Sequence, residues 1–205
     1  MKRALLFFAI SLYLNSAFAQ NDWTVQKEKN GIKISSRPSP TSSFNDVRVE
    51  ADMRGSVDQL AAILLDVNKY TEWAYATRKS ELVKKLGPTK LIYYSEIEVP
   101  WPATDRFFYA LFDMVKDPAG KFIQVISTST AYDGPAPKDL VKVPYSKGSW
   151  NVTQLSKNTV HIDYILELNP GGSLPAWILN LFSTKGPMET FENIKSKMQL
   201  LNPAN

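Results

Sequence analysis

The chain has 205 residues, with 24 basic and 20 acidic side chains, one histidine and no cysteine. Without thiols there is neither a disulfide framework nor a Cys/His metal site, and a single histidine rules out a three-histidine catalytic zinc centre. With 44% apolar residues, the length suits one domain around one core, and no linker, repeat or low-complexity tract divides it.

Lys2 and Arg3 precede an apolar run, Ala4 to Leu14, and a small-x-small site, Ala17-Phe18-Ala19. This pattern predicts a cleaved signal peptide over residues 1–19, with the mature chain starting at Gln20. The run is shorter than the roughly 20 residues of a spanning helix, and Asn15 and Ser16 interrupt it, which argues against a membrane anchor. No cysteine follows the cleavage site, so a lipoprotein anchor is excluded. The expectation is a bacterial protein that is periplasmic or secreted, with residues 20–205 forming a single domain. Losing Lys2 and Arg3 from 24 basic groups leaves 22 against 20 acidic ones. That balance offers no electrostatic case for nucleic acid.

Trp23 to Glu28 and Ile32 to Ser35 flank Asn30-Gly31, the signature of a hairpin with a tight type I′ turn. After a Pro/Ser loop, Val47, Val49, Ala51 and Met53 alternate with polar residues, as in a strand buried on one face. Ser56, with Gln59 three residues on, reads as the N-cap of an amphipathic helix carrying Val57, Leu60, Ala61, Leu64 and Leu65. A further turn carries Tyr70 and Trp73. Strands are predicted at Arg78–Leu86, Lys90–Val99, Arg106–Lys116 and Phe122–Thr130, with turns at Gly87-Pro88 and Asp117-Pro118-Ala119-Gly120. After the proline-rich stretch Gly134–Pro144 come strands Gly148–Leu155 and Thr159–Leu168.

From Leu174 to Leu201, apolar residues Leu174, Trp177, Leu181, Met188, Phe191 and Met198 recur at helical steps on both sides of Gly186-Pro187. The segment reads as one long helix bent at that pair. Strands, short helices, an antiparallel meander and a final long helix define an α+β fold in which a concave sheet covers the helix.

Catalytic constellations are nearly absent. His161 has Asp163 two residues on, but both fall on the expected solvent face of a strand, and no Gly-x-Ser-x-Gly elbow presents a serine. The sequon at Asn151 lies mid-strand. The excess of aromatic side chains in the middle strands says more. In Arg106–Lys116, Phe108, Ala110, Phe112 and Met114 share one face while Phe107, Tyr109 and Leu111 share the other. In Lys90–Val99, Leu91, Tyr93, Ser95, Ile97 and Val99 share a face. A sheet curved around a helix either packs these groups into a filled core or leaves an apolar cavity between them.

Pro100-Trp101-Pro102, Asp105-Arg106-Phe107-Phe108, Gly148-x-Trp150 and Asn169-Pro170-Gly171-Gly172-x-Leu174-Pro175-x-Trp177 together resemble the START domain, a lipid-transfer module of the helix-grip superfamily. Asp66, Tyr70 and Trp73 match its early helical segment. The resemblance spans roughly Asn21 to Leu201. It implies a helix-grip fold: a seven- to nine-stranded antiparallel sheet gripping a long C-terminal helix, with a tunnel between them for one lipid or other hydrophobic small molecule. It further implies cavity contacts at Tyr93, Arg106, Phe108, Phe112, Tyr164, Phe191 and Ile194. A gate would be built from the Pro100–Asp105 loop and the last helix, with Trp101, Leu174, Trp177 and Met188. No catalytic residue, metal or cofactor is implied, and the protein is expected to be a monomer that touches membranes transiently.

One departure stands out. The common family pattern is Arg-Asp-Phe with a second arginine six residues after the first, whereas here Arg106-Phe107-Phe108 is followed by Phe112. The cavity is therefore expected to be more apolar than in members with the second arginine. Arg106 either meets a ligand head group or pairs with a carboxylate such as Glu96 or Asp105. Polyketide aromatases and cyclases share the superfamily's tunnel, so an enzyme is the alternative, with Arg106, Tyr93, Tyr94 and Glu96 as its available polar groups. A closed, fully packed structural domain is the third.

Overall fold

The computed structural model describes residues 23–132 and 134–201. The expected signal segment, residues 1–19, lies outside them. β1 (Thr24–Lys29) and β2 (Ile32–Arg37) form the hairpin. Asn30 and Gly31 both have positive φ, 54° and 74°, as a type I′ turn requires. β3 (Asp46–Arg54) buries Val47, Val49, Ala51 and Met53, every second residue.

At Ser56 the reciprocal cap forms. The Gln59 amide N–H donates to Ser56 Oγ at 3.2 Å, and the Ser56 N–H donates to Gln59 Oε1 at 2.9 Å, opening α1 (Val57–Leu65). A 3₁₀ turn, Val67–Glu72, follows and carries Tyr70. Tyr70 donates its hydroxyl hydrogen to the Leu64 carbonyl at 2.6 Å, which ties the turn to the end of α1.

The rest of the sheet comes from β4 (Thr77–Lys85), β5 (Lys90–Ile97), β6 (Arg106–Lys116), β7 (Phe122–Ser129), β8 (Val141–Lys142), β9 (Tyr145–Ser156) and β10 (Thr159–Asn169). The order across the sheet is β1-β2-β3-β10-β9-β7-β6-β5-β4, antiparallel throughout, with β8 alongside β6. The sheet is curved and holds the C-terminal helix, as in the helix-grip fold. β8 was not foreseen. Its backbone amides at Val141 and Val143 donate to the carbonyls of Asp105 and Phe107, both at 2.9 Å, in a two-residue parallel pairing with β6. So short a strand has no periodicity to read.

The terminal segment is α2 (Ala176–Asn180), a π-helical turn over Leu181–Lys185, and α3 (Gly186–Leu200). The bend expected at Gly186-Pro187 is the end of that π turn. Pro187 has no N–H to return to the preceding turn, and the Gly186 amide reaches five residues back to Leu181. The wide turn slips the helical phase. Ile178 is wholly buried, while Trp177, expected on the inner face, is half exposed. In α3 the expected face holds: Met188, Phe191, Ile194 and Met198 are buried against β2, β3 and α1.

On the convex face, His161 Nδ1 lies 2.7 Å from Asp52 of β3. Asp163 instead accepts two hydrogen bonds from Arg48, at 2.8 and 3.0 Å. The histidine is an exposed surface group and its neighbour in sequence belongs to another pair. Also on this face, Tyr94, Phe107 and Tyr109 form a second small core under Val83, Tyr132 and Leu140. Both faces of β6 are thus covered, as its aromatic content demanded.

Replacing Ser56 with alanine leaves the Gln59 amide without its acceptor. Urea denaturation of Ser56→Ala should show about 1 kcal/mol of lost stability with an unchanged m value.

Candidate functional site

Between the concave face of the sheet and the terminal helix lies a cavity of about 260 Å³. Alternation on the strands delivers its wall: Tyr93, Ser95 and Ile97 from β5, Arg106, Phe108 and Phe112 from β6, Trp150 from β9, and Tyr164, Leu166 and Leu168 from β10. Leu179, Phe182 and Phe191 form the helical side. The rings pack edge to face or stacked in two runs. Trp73, Tyr70, Tyr93 and Phe108 follow one another at centroid spacings of 4.6, 5.4 and 6.0 Å. Opposite them Trp150 lies 4.3 Å from Tyr164 and stacks on Phe191 at 5.4 Å and 11°.

Tyr93 shares a hydrogen bond with Ser127 Oγ at 2.9 Å. Burial pushes the Tyr93 hydroxyl up to about 12, against the pull of that bond. The same burial raises Tyr164 and Tyr70 further. All three are neutral at physiological pH, and none exchanges a proton near neutrality.

Arg106 is the one lysine, arginine, histidine, aspartate or glutamate among the described residues that line the cavity. It is 5% exposed. Its guanidinium donates to the Thr104 carbonyl and, at 3.2 Å, to the Gly171 carbonyl, while Nε has no partner among the described residues. Burial lowers its proton affinity, and Asp105 opposes the shift. Gly171 sits at φ 69°, and a Cβ there would lie 2.9 Å from the Pro144 ring and 3.1 Å from the Lys142 carbonyl. Only glycine brings this carbonyl to Arg106.

The ion pair expected between Arg106 and Glu96 or Asp105 is not made. Arg78 takes both carboxylates, at 2.7 and 2.8 Å. The reason is register: Glu96 pairs with Phe107, the outward neighbour of Arg106 on β6, and side chains alternate faces along a strand.

Six of the seven expected contact residues, Tyr93, Arg106, Phe108, Phe112, Tyr164 and Phe191, lie on the cavity wall. Ile194 does not. It is wholly buried in the packed core, one helical step beyond Phe191. Of the expected gate residues, Leu174 lines the cavity. Met188 is buried in the core, Trp177 is half exposed, and Trp101 is 88% exposed on its loop. The wall also includes residues that the sequence reading did not pick as contacts. Leu166 and Leu168 share the phase of Tyr164 on β10, and Trp150 pairs with Tyr164 across β9, so strand alternation carried that signal. Phe44, from an irregular loop, had none.

Because the buried tyrosines are held neutral in the folded chain and ionise near 10 once unfolded, their contribution is complete below pH 10 and is lost as pH rises toward 12 and beyond. Stability should therefore fall steeply above pH 10. Phenolate absorbance should show Tyr70, Tyr93 and Tyr164 ionising only together with unfolding.

A family model described as START domain matches residues 11–203. A STAR-related lipid transfer protein from Xanthomonas axonopodis superposes with a TM-score of 0.77 at 27% identity, covering 86% of this chain and 98% of that one. Mouse phosphatidylcholine transfer protein is 22% identical over 169 residues, 80% of this chain and 78% of that protein. The Zhui aromatase/cyclase of Streptomyces sp. R1128 shares the fold at a TM-score of 0.54 and 16% identity, over 78% of this chain and 97% of that one. With a helix gripped by a curved sheet, an aromatic-lined cavity between them, and a family model matched over nearly the whole length, the chain belongs to the START domain family.

Proposed function

We propose that this protein binds one lipid or similarly hydrophobic small molecule in the cavity and carries it through the periplasm or extracellular space, without catalysing a reaction. The observation that carries the reading is the wall itself: mostly aromatic and aliphatic groups, with Arg106 the one charged side chain among the described residues and the buried tyrosines held neutral. Burying a chain methylene gains about 0.8 kcal/mol, so a long acyl chain supplies roughly 10 kcal/mol before ordering costs are subtracted. Cyclase chemistry asks for acid-base groups converging on the substrate. The lining tyrosines are locked in their neutral form, and Tyr94 and Glu96, hydrogen-bonded to each other at 2.8 Å, are not part of the wall.

Uptake and release need the helix to part from the sheet. Gly186 lies under the Tyr75 ring, where a Cβ would come within 2.8 Å, and Phe182 packs edge-on against Tyr75 at 5.6 Å. Opening there would separate the π turn from the Tyr75 segment. Trp101, 88% exposed, and Trp177, 51% exposed, flank the stretches that supply Arg106 and Leu174 to the cavity. Exposed indoles of this kind favour the water–bilayer boundary, which fits a monomer that touches a membrane transiently while its cargo exchanges.

Native mass spectrometry of delipidated protein mixed with membrane lipid extract should show a one-to-one complex with a hydrophobic molecule. Retention of nothing would sink the carrier reading. Trp101→Ala should slow transfer between vesicles several-fold while equilibrium affinity stays the same. An unchanged rate would remove this loop from the exchange step.

A further inference from the structure

The wall makes one electrostatic demand that the protein leaves unmet. The carboxylates nearest Arg106 are fully engaged elsewhere. Asp105 accepts from Arg78 through Oδ2 and from the Val99 amide through Oδ1, both at 2.8 Å. Glu96 accepts from Arg78 at 2.7 Å and from the Tyr94 hydroxyl at 2.8 Å. Arg106 is left with two backbone carbonyls and an unpartnered Nε. A buried cation whose hydrogen-bond partners are all neutral is costly, and an anion in the cavity would supply a direct countercharge that Asp105, turned to Arg78, does not. Among the hydroxyls of the wall, Tyr93 pairs with Ser127 and Tyr70 with the Leu64 carbonyl, and the Tyr164 hydroxyl, which has no partner among the described residues, is a neutral group that asks for no countercharge. Trp73 Nε1 also lacks an acceptor, but it is a neutral donor.

Register and size restrict what such an anion is attached to. On β6 Arg106 pairs with Ile97, and Ala110 pairs with Tyr93. Four residues separate the two rows, roughly 13 Å at about 3.3 Å per residue. Phe112 lies two residues further along the same face. An extended alkyl chain with C–C bonds of about 1.5 Å covers that distance with on the order of ten carbons. The cavity volume, about 260 Å³, falls below the roughly 300–1,000 Å³ of typical drug-sized sites. That size favours one chain beside the aromatic rings over two.

We propose that the occupant is a single-chain lipid with an anionic head, a carboxylate or a phosphate, whose charge sits on Arg106 and whose tail runs along the aromatic wall toward Tyr93 and Phe112. This rests on the carrier reading and narrows it. The guanidinium fork suits either oxyanion.

The test compares four probes on the purified, lipid-stripped protein by calorimetry: palmitate, 1-palmitoyl lysophosphatidic acid, hexadecanol and dipalmitoyl phosphatidylcholine. At least one of the two anionic single-chain probes should bind ten-fold or more tighter than hexadecanol, and the tighter of the two identifies the head. Phosphatidylcholine should bind more weakly than that probe. Arg106→Met should bring the anionic probe down to the affinity of hexadecanol while hexadecanol binding persists, which a purely structural arginine would not do. Arg106→Lys should keep part of the preference. Equal affinity for the anionic probes and hexadecanol in the unaltered protein overturns the proposal, and needs no variant to fold. So does a preference that survives Arg106→Met, or phosphatidylcholine binding tightest. Failure of all four probes to bind overturns the carrier reading itself.

Discussion

The stack of Phe191 on Trp150 decides how closely the terminal helix approaches the sheet. Beyond it, Ile194 and Met198 are wholly buried, and the far end is pinned at the β3–α1 corner. There Gly55, where a Cβ would lie 2.4 Å from Met198 Cε, leaves room for that methionine, and Gln59 Nε2 donates to the Leu201 carbonyl at 3.3 Å. Before Phe191 the helix no longer fills the space beneath it. Leu179, Phe182 and Thr190 face a cavity. Beyond Phe191 the helix is therefore core, while the stretch before it is largely roof, with Ile178 and Met188 still buried. The π turn lies in that roof, where Phe182 lines the cavity and packs against the edge of the core.

The same strands that build the cavity sort its charges. Neighbouring residues on β6 point to opposite faces, so Phe107 and Glu96 pair on the convex side while Arg106 enters the cavity. Arg78 gathers Glu96 and Asp105 outside. Among the described residues the lining keeps one cation, held by the Thr104 and Gly171 carbonyls, in a wall otherwise made of hydrocarbon, aromatic rings and hydroxyls. So apolar a lining suits a hydrophobic ligand.

The chain belongs to the START domain family, yet it lacks the Arg-Asp-Phe pattern and the second arginine that the resemblance implied. Phe112 stands where the resemblance leads one to expect a second arginine, and Tyr93, across the same face, is hydrogen-bonded to Ser127. With an aromatic ring at that position, Arg106 is the one charged side chain among the described residues of the lining.

Much of this was legible in the chain because it is written in short-range patterns. The Asn30-Gly31 turn, the Ser56–Gln59 cap, the period-two burial of β3 and the two-sided aromatic load of β6 are local consequences of backbone geometry and side-chain alternation. What required the folded molecule was everything set by contacts distant in sequence. β8 exists only because β6 offers it carbonyls. The slipped face of α2 follows from how a proline-interrupted helix settles on a sheet, and Phe44 reaches the wall from a loop without pattern. The partners of Arg106 depended on which strand residue stood opposite Glu96. The sequence by itself determined the elements and the apolar faces they present; the tertiary structure decided how much space was left between them and which charge was enclosed there, because volume and countercharge belong to the assembled layers and to no single segment.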